Sequence, residues 1–127
     1  MIGMPNSKLL TIAVPAYNAA SYLHTCLDSL VQSGDEVEVL VVNDGSKDGT
    51  LQVARDYAER YPGIVVAVDQ ENRNWGGAVN HALELASGTF FYIVDSDDWL
   101  DSAKLTEVVS RLRMLEEQQA GVDLYMV

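Results

Sequence analysis

Five apolar runs, separated by segments with a helical repeat, limit the fold more than any other feature of the chain. Leu9-Leu10-Thr11-Ile12-Ala13-Val14, Val37 to Val42, Ile64 to Val68, Thr89 to Val94 and Val122 to Val127 are short and rich in β-branched and aromatic residues. They read as strands covered on both faces rather than half-exposed ones. Between them, Leu23, Leu27, Leu30 and Val31 fall on one helical face, as do Leu51, Ala54, Ala58 and Tyr61. A third helix is expected from about Gly77 to Ser87, with Ala78, Ala82 and Leu85 inward. A fourth, from Ser102 to Gln118, is expected to bury Leu105, Val108, Val109, Leu112 and Leu115. Gly34, Pro62-Gly63 and Gly88 punctuate the ends, with Gly88 expected at a position that favours positive φ. Alternating strands and helices of this kind predict an α/β, Rossmann-like fold: a mostly parallel sheet with right-handed crossovers and helices on both faces.

In such a sheet, ligands bind beyond the carboxyl ends of the strands. That rule gathers Pro15 to Asn18, Asn43 to Asp48, Asp69 to Gly77 and Asp95 to Trp99 on one edge, while the opposite loops are plain turns. Asp95-Ser96-Asp97-Asp98 puts three carboxylates where the fourth strand leaves the core. Such a cluster suits a hard divalent cation shared with phosphates, or else acidic capping of the next helix by Asp98 and Asp101.

Charge narrows the partners. Nineteen acidic against eight basic residues give a formal net charge of −11, which argues against nucleic-acid binding and against docking on anionic lipid. The single Cys26 excludes an internal disulfide and reads as a small buried hydrophobe. No apolar run is long enough to span a bilayer, and Met1 to Lys8 lacks the apolar stretch of a signal peptide. A reducing, cytoplasmic setting is expected, with membrane association open to a longer form of the protein.

Taken together, Val14-Pro15-Ala16-Tyr17-Asn18, Val42-Asn43-Asp44-Gly45-Ser46-Lys47-Asp48-Gly49-Thr50, Asn72 to Gly88 and Asp95-Ser96-Asp97-Asp98-Trp99 resemble the nucleotide-binding half of the inverting family 2 glycosyltransferases, whose fold is called GT-A. The resemblance implies that residues 1–127 are a single domain, the donor-binding part of a glycosyltransferase domain truncated at its C-terminus. It implies a donor-nucleotide site drawn from Pro15, Tyr17, Asn18, Asp44, Arg73, Gly76, Asp95 and Ser96, and Mg²⁺ or Mn²⁺ held by Asp97 and Asp95. Tyr17 would stack on the base, with packing against the next helix as the alternative, and Asp44 would accept from a base N–H. Asp95 would lie near the ribose or the metal's waters, and Asp98 would support the site or cap the helix. Gly76 and Gly77 would admit a close backbone approach; Arg73 would reach a phosphate or stay solvated, and Asn80 would touch ligand or bridge loops. One departure is visible: Val79 precedes Asn80 where an Arg often stands in the family.

The implied reaction moves a sugar from a nucleoside-diphosphate sugar, a UDP-sugar above others, to a hydroxyl on a sugar, polysaccharide or lipid-linked acceptor, with inversion. No residue here matches the family's general base, so that base and the acceptor half are expected outside this chain. An unmet sheet edge would then invite self-association. Two other classes stay open: a non-catalytic nucleotide- or protein-binding module of the same fold, and another metal-dependent phosphate enzyme. For the latter, the first strand's end has Pro15-Ala16-Tyr17-Asn18 instead of a nucleophilic Asp or a basic glycine-rich loop.

Overall fold

The structure, a computed structural model, describes residues 8–118 with their side chains and the backbone of 125–126. Strands β1 (Lys8–Ala16), β2 (Val37–Asp44), β3 (Val65–Gln70), β4 (Gly88–Ile93) and β5 (Tyr125–Met126) alternate with helices α1 (Leu23–Asp28), α2 (Thr50–Arg60), α3 (Asn74–Leu85) and α4 (Ser102–Gln118). The strands form one sheet in the order β3-β2-β1-β4-β5, and every pairing is parallel. Of the expected fifth strand, Tyr125 and Met126 pair with Phe90 and Phe91; Val122 to Leu124 and Val127 lie outside the described residues, as do Met1 to Ser7.

The side-chain period of two explains why apolar runs were needed rather than alternating ones. Leu10, Ile12, Val14, Val37, Val39, Val41 and Phe90 join the buried cluster that includes residues of α1, α2 and α4. Ala13, Leu40, Val42 and Phe91 point the other way and pack with Ala78 and Ala82 of α3. Burying a side chain such as Leu10 or Phe91 contributes about 1.5–3 kcal/mol, so the central strands dominate the stability. One polar group breaks the apolar pattern: Glu38, 8% exposed, accepts from the Thr11 hydroxyl at 2.5 Å and from the Ser87 N–H at 2.6 Å. It is satisfied inside the sheet rather than solvated.

Five local expectations need correction, the first being Leu85, which is 49% exposed, so that only Ala78 and Ala82 form the buried face of α3. α1 is shorter than its apolar pattern, because the Ser29 hydroxyl donates to the Cys26 carbonyl and Leu30 N–H to the Leu27 carbonyl, tightening the chain into turns that still bury Leu30 and Val31. α3 begins at Asn74, three residues before Gly77, so both glycines lie in its first turn. Asn74 has φ of 60°, and its N–H donates to the Asn72 side chain, so an Asn-built turn starts the helix where a glycine pair reads as loop. Gly88 has no positive φ; it opens β4, where a Cβ would stand 2.5 Å from the Thr11 backbone nitrogen. Val108 and Leu115 of α4 are exposed, since only Leu105, Val109 and Leu112 reach the sheet.

The order places the site. The chain runs β1, β2, β3 in one direction, and the crossover through α3 then starts β4 on the other side of β1. The pairing of β1 with β4 ends at Ala13↔Ile93, while β1 continues beside β2 to Ala16↔Asn43. The strands therefore separate just where the order reverses, which opens a crevice at their carboxyl ends. Pro15 lies past the last β4 partner, so its missing N–H breaks no bond on that side.

Candidate functional site

The crevice is a cleft of about 200 Å³ lined by Pro15, Ala16, Tyr17, Tyr22, Asp44, Trp75, Ala78, Asp95, Ser96 and Asp97. Four segments distant in sequence, at strand ends, loops and the start of α3, supply these residues. A larger groove of about 310 Å³ lies beside α4, but its walls are Leu10, Tyr92, Leu100, Leu105 and Val108, with only Asp101 and Lys104 charged. The first cleft carries several convergent polar groups at the carboxyl ends of the strands, whereas the groove beside α4 is mostly apolar.

Its first wall is built by stapling the loop after β1 to the loop after β2. Asn18 adopts φ of 49°; its N–H donates to the Ser46 hydroxyl at 2.9 Å and its side-chain carbonyl accepts from Lys47 N–H at 2.8 Å. Ala19 N–H donates to the Thr50 hydroxyl and Ala20 N–H to Asp48. With the backbone fixed this way, Tyr17 stands 49% exposed at the cleft instead of packing into the core. Gly45, at φ of 70°, lets the backbone of Asn72 pass where a Cβ would be 2.8 Å from its nitrogen.

Asp44 ends β2 and is 3% exposed. Its Oδ1 accepts from Gln70 Nε2 at 2.9 Å and from Arg73 N–H at 2.6 Å, which satisfies the buried charge. The Gln70 carbonyl oxygen lies 2.7 Å from His81 Nδ1 and can only accept, so His81 carries its proton on Nδ1. Through this bond His81 holds the Gln70 amide that in turn holds Asp44, and it is not among the residues lining the cleft.

The acidic loop is held by α1. The Asp95 carbonyl accepts from Asp98 N–H at 2.9 Å and from the Cys26 thiol at 3.7 Å. Further along, Leu100 N–H donates to the Ser29 hydroxyl and the Ser102 hydroxyl donates to the Ser29 carbonyl. Burial first, then the neighbouring charges of Asp98, Asp97 and Asp95, push the Cys26 thiol up to about 12, so it is an inert buried group. Asp101, not Asp98, caps α4: its Oδ1 accepts from Ala103 and Lys104 N–H, while Asp98 turns to Trp99 N–H.

Of the residues expected at the site, Pro15, Tyr17, Asp44, Asp95, Ser96 and Asp97 share the cleft. Asn18 lies under it as a staple. Arg73 reaches Asp44 through its backbone, and its Cβ occupies the space beside Gly77, 2.3 Å from where an alanine methyl would sit. Gly76 is exposed with open space around its Cα. Trp75 and Tyr22 line the cleft without having been singled out, and Ala78, expected only as an inward helix residue, joins them. The one available signal was a Trp set in a polar, glycine-flanked segment, where core packing does not explain it.

Among the described residues, no group of three or more His, Cys, Asp or Glu side chains is arranged to hold a metal by itself. That excludes a closed structural site of the zinc type among those residues. Two carboxylates opening on a cleft do fit Mg²⁺ or Mn²⁺, which take one or two carboxylates and leave the remaining positions to water and phosphate oxygens.

A family model described as "Glycosyl transferase family 2" matches residues 11–126. The protein named "Uncharacterized glycosyltransferase EpsJ" of Bacillus subtilis is 39% identical over 118 residues, covering 92% of this chain and 34% of that protein. The solved structure of S. aureus TarS residues 1–349 in complex with UDP-GlcNAc superposes with a TM-score of 0.71 at 29% identity, covering 84% of this chain and 31% of that one. The mannosyltransferase PcManGT of Pyrobaculum calidifontis, in complex with GDP-Man and Mn²⁺, gives a TM-score of 0.69 at 31% identity, covering 81% of this chain and 32% of that one. This chain thus spans about a third of the length of each of these three proteins.

Proposed function

This chain belongs to glycosyl transferase family 2, and we propose that residues 1–127 form the donor-binding part of a GT-A domain that transfers a sugar from a nucleoside-diphosphate sugar to an acceptor hydroxyl with inversion. The observation that carries this reading is the meeting of Tyr17, Asp44, Asp95 and Asp97, from three loop regions, in one cleft at the point where the strand order reverses. An exposed aromatic face suits a base, and a buried carboxylate with one oxygen already engaged suits a base N–H. Two relatives of the fold carry UDP-GlcNAc and GDP-Man in their solved complexes, which supports a nucleotide-sugar as the ligand class.

Asp97 is the assigned holder of Mg²⁺ or Mn²⁺, with Asp95 on the ribose side and in reach of the metal's waters. Pro15 and Ser96 line the nucleotide pocket and Asn18 staples its wall, while Gly76 and Arg73, beside the cleft, are assigned to a close backbone approach and to a phosphate of the donor. When bound, the cation supplies neutralisation of the charge gathering on the departing nucleoside diphosphate. The chain's own residues bind and orient the donor. We assign none of them the role of general base, and place that base and the acceptor-binding portion in the length of the relatives that has no counterpart here.

The lone buried Cys26 supports a reducing, cytoplasmic setting. Among the described residues no helix is long and apolar enough to cross a membrane. Edge strand β3, with Val66 43% exposed, is the proposed surface for self-association. A screen of nucleoside diphosphates by ligand-observed NMR, with and without Mn²⁺, tests the central reading. At least one nucleotide should bind, and more tightly with metal; binding of none of them overturns it.

A further inference from the structure

We infer that Trp75 is a positioning residue, whose indole N–H holds the Asp95 carboxylate in one orientation at the cleft, with Oδ1 engaged and, among the described residues, Oδ2 left unbound. The inference rests on the reading of the cleft as the donor site and adds the device that gives its two carboxylates different roles.

Trp75 lies in the first turn of α3, and its Nε1–H donates to Asp95 Oδ1 at 2.8 Å across the mouth of the cleft. The ring is 54% exposed, so burial of apolar area does not account for its place. Indole has one donor and no acceptor, and its natural partner is an acceptor such as an ionised carboxylate. Among the described residues, Asp95 is otherwise held through its backbone, since its carbonyl accepts from Asp98 N–H and the Cys26 thiol. Side-chain rotation is the freedom left to it, and Trp75 removes that freedom.

The neighbouring carboxylate is treated differently. Among the described residues nothing hydrogen-bonds the Asp97 carboxylate, which lines the same cleft. One carboxylate is therefore tethered through one oxygen, and the other has both oxygens unengaged. A tethered Asp95 has its orientation fixed and Oδ1 already shared with the indole, which suits it to a hydroxyl or a metal-bound water. Asp97 keeps the charge and mobility to bind the cation directly. The same bond joins the start of α3 to the exit of β4, so it also fixes the width of the cleft between those elements.

The test has two arms. In the first, ¹H–¹⁵N NMR of the ligand-free protein follows the two indole N–H resonances, with Trp75 assigned by its loss in Trp75→Phe. The Trp75 resonance should move and exchange faster with water in Asp95→Ala, and stay in place in Asp97→Ala. In the second, nucleoside diphosphate affinity is measured with Mn²⁺ for the wild type, Trp75→Phe, Asp95→Ala and the double variant. Trp75→Phe should weaken binding about tenfold in the wild type and about twofold or less once Asp95 is alanine, with an unchanged urea midpoint. A resonance indifferent to Asp95→Ala, or equal losses in both backgrounds, overturns the inference. If the resonance responds as expected but no nucleotide binds the wild type, the tether is upheld and the donor reading alone fails.

Discussion

Asp44 joins stability to recognition in one side chain. Its Oδ1 accepts two hydrogen bonds inside the protein, so the residue expected to meet the base is first a keystone for Gln70 and for the start of α3. Asp44→Ala should therefore cost about 1–3 kcal/mol for each buried donor left unpaired, read as a lower urea midpoint. Asp44→Asn, which keeps an acceptor oxygen, should recover most of that loss while still weakening nucleotide binding. The place of Asp44 was legible because a carboxylate follows an apolar run on the edge where ligands are expected. Its partners were not, since Gln70 and Arg73 reach it from 26 and 29 residues away and nothing local announces them. The same limit hid the bond from Trp75 to Asp95. Of the two capping candidates, Asp98 and Asp101, Asp101 takes the role, because the Asp95-to-Asp98 turn engages the Asp98 backbone.

At the scale of elements, strands were read more faithfully than helix starts. A strand buried on both faces needs an unbroken apolar run, and that signal survives in the sequence even around Glu38, whose partners Thr11 and Ser87 are remote. Helix starts depend on single side-chain bonds. α3 starts early through Asn72 and Asn74, while α2 is anchored by Asp48, which accepts from the N–H and hydroxyl of Thr50. The Thr50 hydroxyl, then the N–H groups of Thr50 and Ala20, hold the Asp48 carboxyl below its ordinary value of 3.8. A depressed folded value means that the stability Asp48 contributes is full above its unfolded value and lost as pH falls through the folded one. The stability difference between wild type and Asp48→Ala should accordingly be largest near neutral pH and shrink below about pH 4, as read from urea midpoints. A difference that stays constant down to about pH 2 would remove Asp48 as the anchor of α2.

For the whole molecule, the parallel sheet and the placing of the site at its carboxyl edge follow from the alternation of elements. The position of the crevice between β1 and β4 follows from strand order, which only the three-dimensional arrangement reveals. Edge strand β3 presents Val66 to solvent, and the net charge of −11 opposes close approach of two copies. Self-association should thus strengthen as salt screens that charge, and Val66→Lys should reduce it; light scattering showing a monomer at every concentration and salt level would contradict it. The central claim is that the cleft binds a nucleoside diphosphate through a cation held by Asp97. Calorimetric titration of UDP and GDP into wild type and Asp97→Ala, each with Mn²⁺ and with a chelator, measures it most directly. The wild type should bind one of the nucleotides about tenfold or more tightly with Mn²⁺, a difference of about 1.4 kcal/mol, and Asp97→Ala should lose that metal-dependent part. Equal affinity with and without metal in the wild type, or a metal-dependent gain that survives in Asp97→Ala, would contradict it.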